Sequence, residues 1–227
     1  MQTSDSARIR TGAVLLGISA LLSVAFPLVR PFFADPDMSS PESLAIAAKG
    51  FTASAWVAAH LMAMIGFVLL IFGMMTLYAY LSESKVERRA FQAMILGLSG
   101  IGLVLPSLGV ELYTLPMIGR LYLDGKADVF NLMGAIRMEP VSALVFLIGL
   151  LLLAIGGIVL AVAIWQSEVL PKWAGVAFAI GLALYLPVFP HVIRIVDGLL
   201  IGIGGMGLAW SIWRKTAGAD DEAPTGV

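Results

Sequence analysis

Six ionisable residues lie within or at the edges of long apolar stretches: His60, Glu111, Glu139, His191, Arg194 and Asp197. Charge is costly inside a bilayer, so each is a candidate pocket or ligand-binding residue. His60, Glu111 and His191 carry the donor types of a metal site. His60 and His191, opposed across a porphyrin, would ligate haem b. No H-E-x-x-H or comparable spacing accompanies them. Helical rise also separates the two histidines by about 10 Å in depth. No cofactor is therefore predicted, with metal and haem b as the alternatives. Arg194 stands three residues from both His191 and Asp197, on one helix face. It can pair with Asp197 or reach Glu111. Glu139 opens an apolar stretch, where a helix dipole favours a carboxylate.

Each of these residues also has a purely architectural reading. His60 suits a histidine satisfied between helices, and His191, after Pro190, a solvated one at a turn. Glu111 suits an interfacial carboxylate, and Arg194 with Asp197 a pair that locks helices together. That all six fall in the outer third of the bundle is what points to a polar pocket.

The elements that must position them are apolar. The 227 residues are 59% apolar and 13% charged, against roughly 25% charged in a soluble domain. Mean hydropathy is +0.95, so lipid must solvate part of the chain. A net charge of −1 gives no reason to expect nucleic-acid binding. The absence of cysteine excludes disulfides, thiolate metal sites, Fe–S clusters and covalent haem attachment.

About 20 apolar residues cross a bilayer core as helix. Six stretches qualify: roughly 12–30, 54–81, 91–114, 140–165, 172–190 and 191–213. The fold class expected is all-α, a six-span bundle. Arg8 and Arg10 before the first run imitate a signal peptide, but no small-x-small site follows, so an uncleaved span is expected. Phe189-Pro190-His191 alone divides the last two, and Pro187 and Pro190 make a tight turn fit better than one long helix. Residues 216–227 read as a disordered acidic tail. Ser40-Pro41-Glu42 predicts a short helix at about 41–49. Val129, Leu132, Met133 and Ile136 predict an interfacial helix at about 128–138.

Lys and Arg set the orientation. With the N-terminus inside, inner segments carry eight: Arg8, Arg10, Lys85, Arg88, Arg89, Lys172, Arg214 and Lys215. The longer outer segments carry six: Arg30, Lys49, Arg120, Lys126, Arg137 and Arg194. Tyr78, Tyr80, Trp165, Trp173, Trp210 and Trp213 fall at the inner ends, as an interfacial belt does. Both termini are expected in the cytoplasm, with the protein in the cell (inner) membrane.

An internal repeat is also legible. Ile65–Gly73 resembles Ile148–Gly156, and Ile155–Trp165 resembles Ile203–Trp213. Pro27, Pro106 and Pro187 each fall about 15 residues into an odd-numbered stretch. Three hairpins of one type would explain both series, and kinks at matched depth would splay the outer end.

The segment Trp56-Val-Ala-Ala-His60 through Gly66, Gly73 and Leu77-Tyr78 resembles small six-span bacterial membrane proteins of unknown function. So does Ile164-Trp165-Gln-Ser167 through Leu170-Pro171-Lys172-Trp173-Ala174-Gly175. The resemblance implies a multi-pass fold and no activity. Where such proteins carry His-Pro after the first span, Phe26-Pro27 and Arg30-Pro31 stand here.

No Walker A, nucleophile elbow or Gly-rich strand-turn-helix motif is present. The leading expectation is therefore a non-enzymatic membrane protein with an outward-facing polar pocket. Its ligand would be a small molecule, a lipid headgroup or an ion, and its other partner the bilayer. A membrane enzyme on His60, Glu111 and His191 is one alternative. A purely structural subunit is the other. The pattern specifies no oligomeric state.

Overall fold

The computed structural model describes residues 3–33, 36–137, 139–185 and 190–221. All the regular structure among them is helical. The long helices are α1 (Thr3–Val29), α3 (Ser54–Leu81), α4 (Glu87–Gly109), α7 (Pro140–Ser167) and α9 (His191–Asp221). The shorter ones are α2 (Pro41–Thr52), α5 (Leu115–Leu123), α6 (Val129–Arg137) and α8 (Lys172–Leu184). A π-turn, Val110–Thr114, joins α4 to α5, so helix runs unbroken from Glu87 to Leu123.

Local sequence explains the boundaries. The Ser40 hydroxyl caps α2 by accepting from the Ser43 amide at 3.3 Å, and Pro41 occupies the first helical position. Glu139 does the same for α7, accepting from the Ser142 amide at 2.7 Å ahead of Pro140. The far end of α7 closes on Glu168 in the left-handed region (φ 61°). Pro171 then precedes α8.

α1, α3, α4, α7, α8 and α9 close a ring in chain order, each packed on the next and α9 on α1. Five helical segments are long and apolar enough to cross a membrane: Ser6–Val29, Ser54–Leu81, Glu87–Leu123, Pro140–Ser167 and His191–Ala217. This is consistent with a multi-pass membrane protein. The sixth ring member, α8, is different. It has 13 residues, or about 20 Å of rise, against a core of about 30 Å. The fifth stretch was expected at 172–190; its Pro187 lies outside the described residues. At the other end of the chain, α9 continues to Asp221, into the segment expected to be disordered.

Close helix approach depends on missing side chains. A methyl on Gly100 of α4 would meet the Leu153 amide nitrogen of α7 at 2.6 Å. A methyl on Gly198 of α9 would meet the Ser23 carbonyl oxygen of α1 at 2.6 Å. Small residues allow this contact where no hydrophobic drive exists between helices. In all three sequential pairs, the second helix sets a glycine on the first: Gly73 on Leu16, Gly156 on Ala93 and Gly97, Gly204 on Ala174 and Phe178.

A second, separate core covers one end of the ring. Ala47, Ala48 and Phe51 of α2 pack with Trp56, with Leu115 and Ile118 of α5, and with Phe130 and Met133 of α6. Pro27 and Pro106 do lie inside α1 and α4. The splayed, open outer end expected from them is not what stands there. The loops that follow them fold into a cap, because α2, α5 and α6 each have an apolar face to bury.

Candidate functional site

The site begins with the sequence Trp56-Val-Ala-Ala-His60, one helical turn of α3 directly beneath the cap. His60 is 2% exposed. Its Nδ1 lies 2.8 Å from the Trp56 carbonyl oxygen. A carbonyl only accepts, so Nδ1 carries the proton. Nε2 then faces Glu111, with 3.8 Å to Oε2. That spacing is an ion pair when the ring is doubly protonated, and too long for a direct hydrogen bond. The imidazole is held by the Trp56 ring at 4.3 Å and the edge of Phe26 at 5.6 Å. The Arg30 guanidinium stands 4.7 Å from the Trp56 ring centroid.

Glu111 is placed by the π-turn. Pro106 lacks the amide that would continue the ladder, and the helix takes up one extra residue just beyond it. One inserted residue rotates everything after it by about 100°. The turn also presents the Glu111 carbonyl to Trp56, whose Nε1 donates to it at 2.9 Å.

The second cluster lies deeper, on α9. Asp197 is 4% exposed. It lines a chamber of about 20 Å³ with Ser19 and Ser23 of α1, Ala63 and Gly66 of α3, and Tyr185 just after α8. Such a volume holds about one water. The Ser19 hydroxyl donates to the Gly66 carbonyl at 2.8 Å, and Ser23 donates to the Ser19 carbonyl at 3.0 Å. Both hydroxyls therefore keep lone pairs as acceptors. Arg194 lies within Coulombic range of Asp197. Tyr185 bridges the two clusters: Arg194, Asp197, Arg30 and Glu111 all act electrostatically on its phenol, and its ring meets Phe67 edge-on at 5.2 Å.

The six residues singled out in the sequence thus divide. His60 stands with Glu111, and Arg194 with Asp197. His191 is elsewhere, its ring 4.4 Å from that of Phe32, which is 61% exposed. Glu139 is the exposed cap of α7. The Ser142 amide, then that of Val141, holds its carboxyl below the ordinary value. Among the described residues no three His, Asp or Glu side chains group as a metal ion requires. Arg30, Trp56, Tyr185, Ser19 and Ser23 were not singled out. Trp56 had a signal, since four residues place it on the face of His60. Tyr185 and the serines had none, because only the ring of helices brings α1 and α8 to Asp197.

No protein-family model, curated protein or solved structure matches this chain. The fold and the charges within it define a class: an all-α chain whose apolar helices are consistent with an integral, multi-pass membrane protein.

Proposed function

We propose that this is a six-helix protein of the cell (inner) membrane, both termini cytoplasmic, that binds a proton or a small monovalent cation in the chamber at Asp197. The cap then lies on the outer side, and the chamber is the outward-facing polar pocket. In this reading it is a binding protein, not an enzyme. The observation that carries it is a carboxylate and two acceptor hydroxyls lining a water-sized cavity inside an apolar bundle. Oxygen acceptors in a space that small suit a cation or a proton donor and exclude a lipid headgroup or an organic molecule. The C-terminal end of α8 adds to this, because Leu182 and Tyr185 reach the chamber and a helix C-terminus is electronegative. Half-length helices ending at ion sites are a recurrent membrane device. The matched glycines of α3, α7 and α9 support three hairpins of one type, with α8 and α9 as the third.

The test is thermal stability of the purified full chain in lithium, sodium, potassium and choline chloride, and across pH 5–9 in choline. A ligand at about 100 times its Kd stabilises by about 2.7 kcal/mol. One alkali cation, or protonation, is expected to raise Tm in the wild type, and Asp197→Asn to abolish that response. Ser23→Ala, a milder change, is expected to weaken it. Identical responses in all three proteins overturn the proposal. A second reading rests on charge balance: Arg30 and Arg194 match Glu111 and Asp197. Lower Tm in Asp197→Asn, with an unchanged ion and pH response, favours a network that only locks the helices.

A further inference from the structure

At the end of the ring away from the cap, two hollows of opposite character meet at Trp165. The first is a groove of about 360 Å³ between α7 and α8. Ile158 and Val162 wall it on one side, and Val176, Ile180 and Leu184 on the other. The α8 residues recur every fourth position, which makes one continuous apolar stripe. From Val176 to Leu184 the stripe runs about 12 Å, against roughly 15 Å for one leaflet's hydrocarbon. Ile158, Val162 and Ile180 are exposed on the outside of the bundle.

The second hollow, of about 460 Å³, is polar. Lys85, Gln166, Glu168 and Lys172 line it together with Val86 and Trp165. The Lys172 ammonium stands 5.3 Å from the Trp165 ring centroid. Lys85 approaches from the turn between α3 and α4. Lys85, Glu168 and Lys172 are all exposed. Two ammonium groups and one carboxylate leave this hollow cationic.

We infer that the two hollows form one binding site for an anionic glycerophospholipid with a hydroxyl-bearing headgroup, of the phosphatidylglycerol type. An acyl chain lies in the α7–α8 groove. The phosphate sits between Lys85 and Lys172, and headgroup hydroxyls donate to Glu168. Trp165 marks the headgroup level, where tryptophan concentrates in membranes. The inference rests on the membrane reading above, and concerns the opposite end of the protein from the Asp197 chamber. A phosphatidylethanolamine fits less well, because its zwitterionic headgroup carries no net negative charge to offset the two lysines. Each basic residue near a membrane surface strengthens attraction to anionic lipid about fivefold, so the two together favour the anionic headgroup strongly.

The experiment is quenching of tryptophan fluorescence by brominated lipid in the full chain, mixed into micelles at increasing mole fraction. Brominated phosphatidylglycerol, phosphatidylethanolamine and phosphatidylcholine are compared. The Trp165 contribution is the difference between wild type and Trp165→Phe. Phosphatidylglycerol is expected to half-quench Trp165 at a mole fraction at least about fivefold lower than either of the others. Lys85→Gln with Lys172→Gln, both at exposed positions, is expected to remove that preference. Equal quenching of Trp165 by the three lipids, or a preference that survives the double substitution, overturns the site. Trp173, Trp210 and Trp213, exposed at the same end, serve as the control. If no brominated lipid quenches them, the membrane reading itself fails; if all do while Trp165 shows no preference, only the lipid site fails.

Discussion

In the ring of long helices, the inside and the outside are made of the same residues. Leu16, Leu77, Leu153 and Leu208 are fully buried, while Leu21, Leu61, Leu151 and Leu199 point outward. The buried positions are distinguished by the small residues between them, Ala and Gly, at the helix contacts. In the cap the inside is built on large aromatic rings instead. Phe51 packs edge-on against Trp56 at 4.9 Å, and Tyr122 against Phe130 at 4.8 Å. Glu42, Lys49, Arg120, Asp124, Lys126 and Asp128 are exposed around them, together with the apolar Ile46, Met117, Leu123 and Leu132. The cap has an aromatic core under a mixed charged and apolar surface, so apolar area removed from water supplies part of its drive. The ring follows the rule of a lipid-embedded one, where contact geometry and interhelical hydrogen bonds decide. Ser19 donating to the Gly66 carbonyl is one such bond.

The comparison can be broken most forcefully at Trp56, which is fully buried and belongs to both regions. Trp56→Ala is expected to cost about 3–5 kcal/mol, as large aromatic truncations in cores do. It also removes the hydrogen bond to Glu111 and the ring that both Arg30 and His60 contact. Thermal unfolding of the purified chain, with limited proteolysis of α2, measures whether the cap loosens first. A cap that stays protease-resistant contradicts the two-core account.

A smaller effect is expected at Gly100. One added methyl collides with the backbone of α7, and overpacking of this kind costs about 1–3 kcal/mol. Gly102, on the same helix with nothing within 4 Å of an added methyl, is the matched control. Gly102→Ala should leave Tm unchanged or raise it, since alanine is the better helix former. Equal Tm values for the two alanine variants would remove close helix approach from the explanation.

The smallest effect concerns Glu139, at the surface where cap and ring meet. Its carboxyl is held below the ordinary value near 4.5 by the amides of Ser142 and Val141. A depressed folded-state value means that ionised Glu139 stabilises above pH 4.5 and that this contribution fades as the pH falls through the lower folded value. Glu139→Gln should therefore lower Tm slightly at pH 7 and converge with the wild type in acid. A Tm difference that is constant with pH would show that the charge is irrelevant to the cap.

Much of this was open to reading in sequence. Ser40-Pro41 marks the start of α2, and Glu139-Pro140 that of α7, because capping is a property of neighbouring residues. The helical character of the long stretches follows from their length and lack of charge. The extent of α8 was not open in the same way. Pro187 signals a break in the apolar sequence from Ala174 to Phe189, but nothing in it places the end of the described helix after only 13 residues. The placement of Glu111 was equally hidden, since a π-turn has no residue signature beyond Pro106 four positions earlier. His60 and Asp197 were visible as ionisable groups in apolar surroundings, but their partners were not.

The sequence alone determined what needs only local information: helices, several of their caps, the apolar character of the chain, and which ionisable groups fall in apolar stretches. Tertiary structure decided which charges meet. Each helix face is set by packing against neighbours far away in the chain, so the ring set His60 against Glu111 and Asp197 beside Ser23 and Tyr185. It left His191 tilted against Phe32 at the rim, outside both clusters.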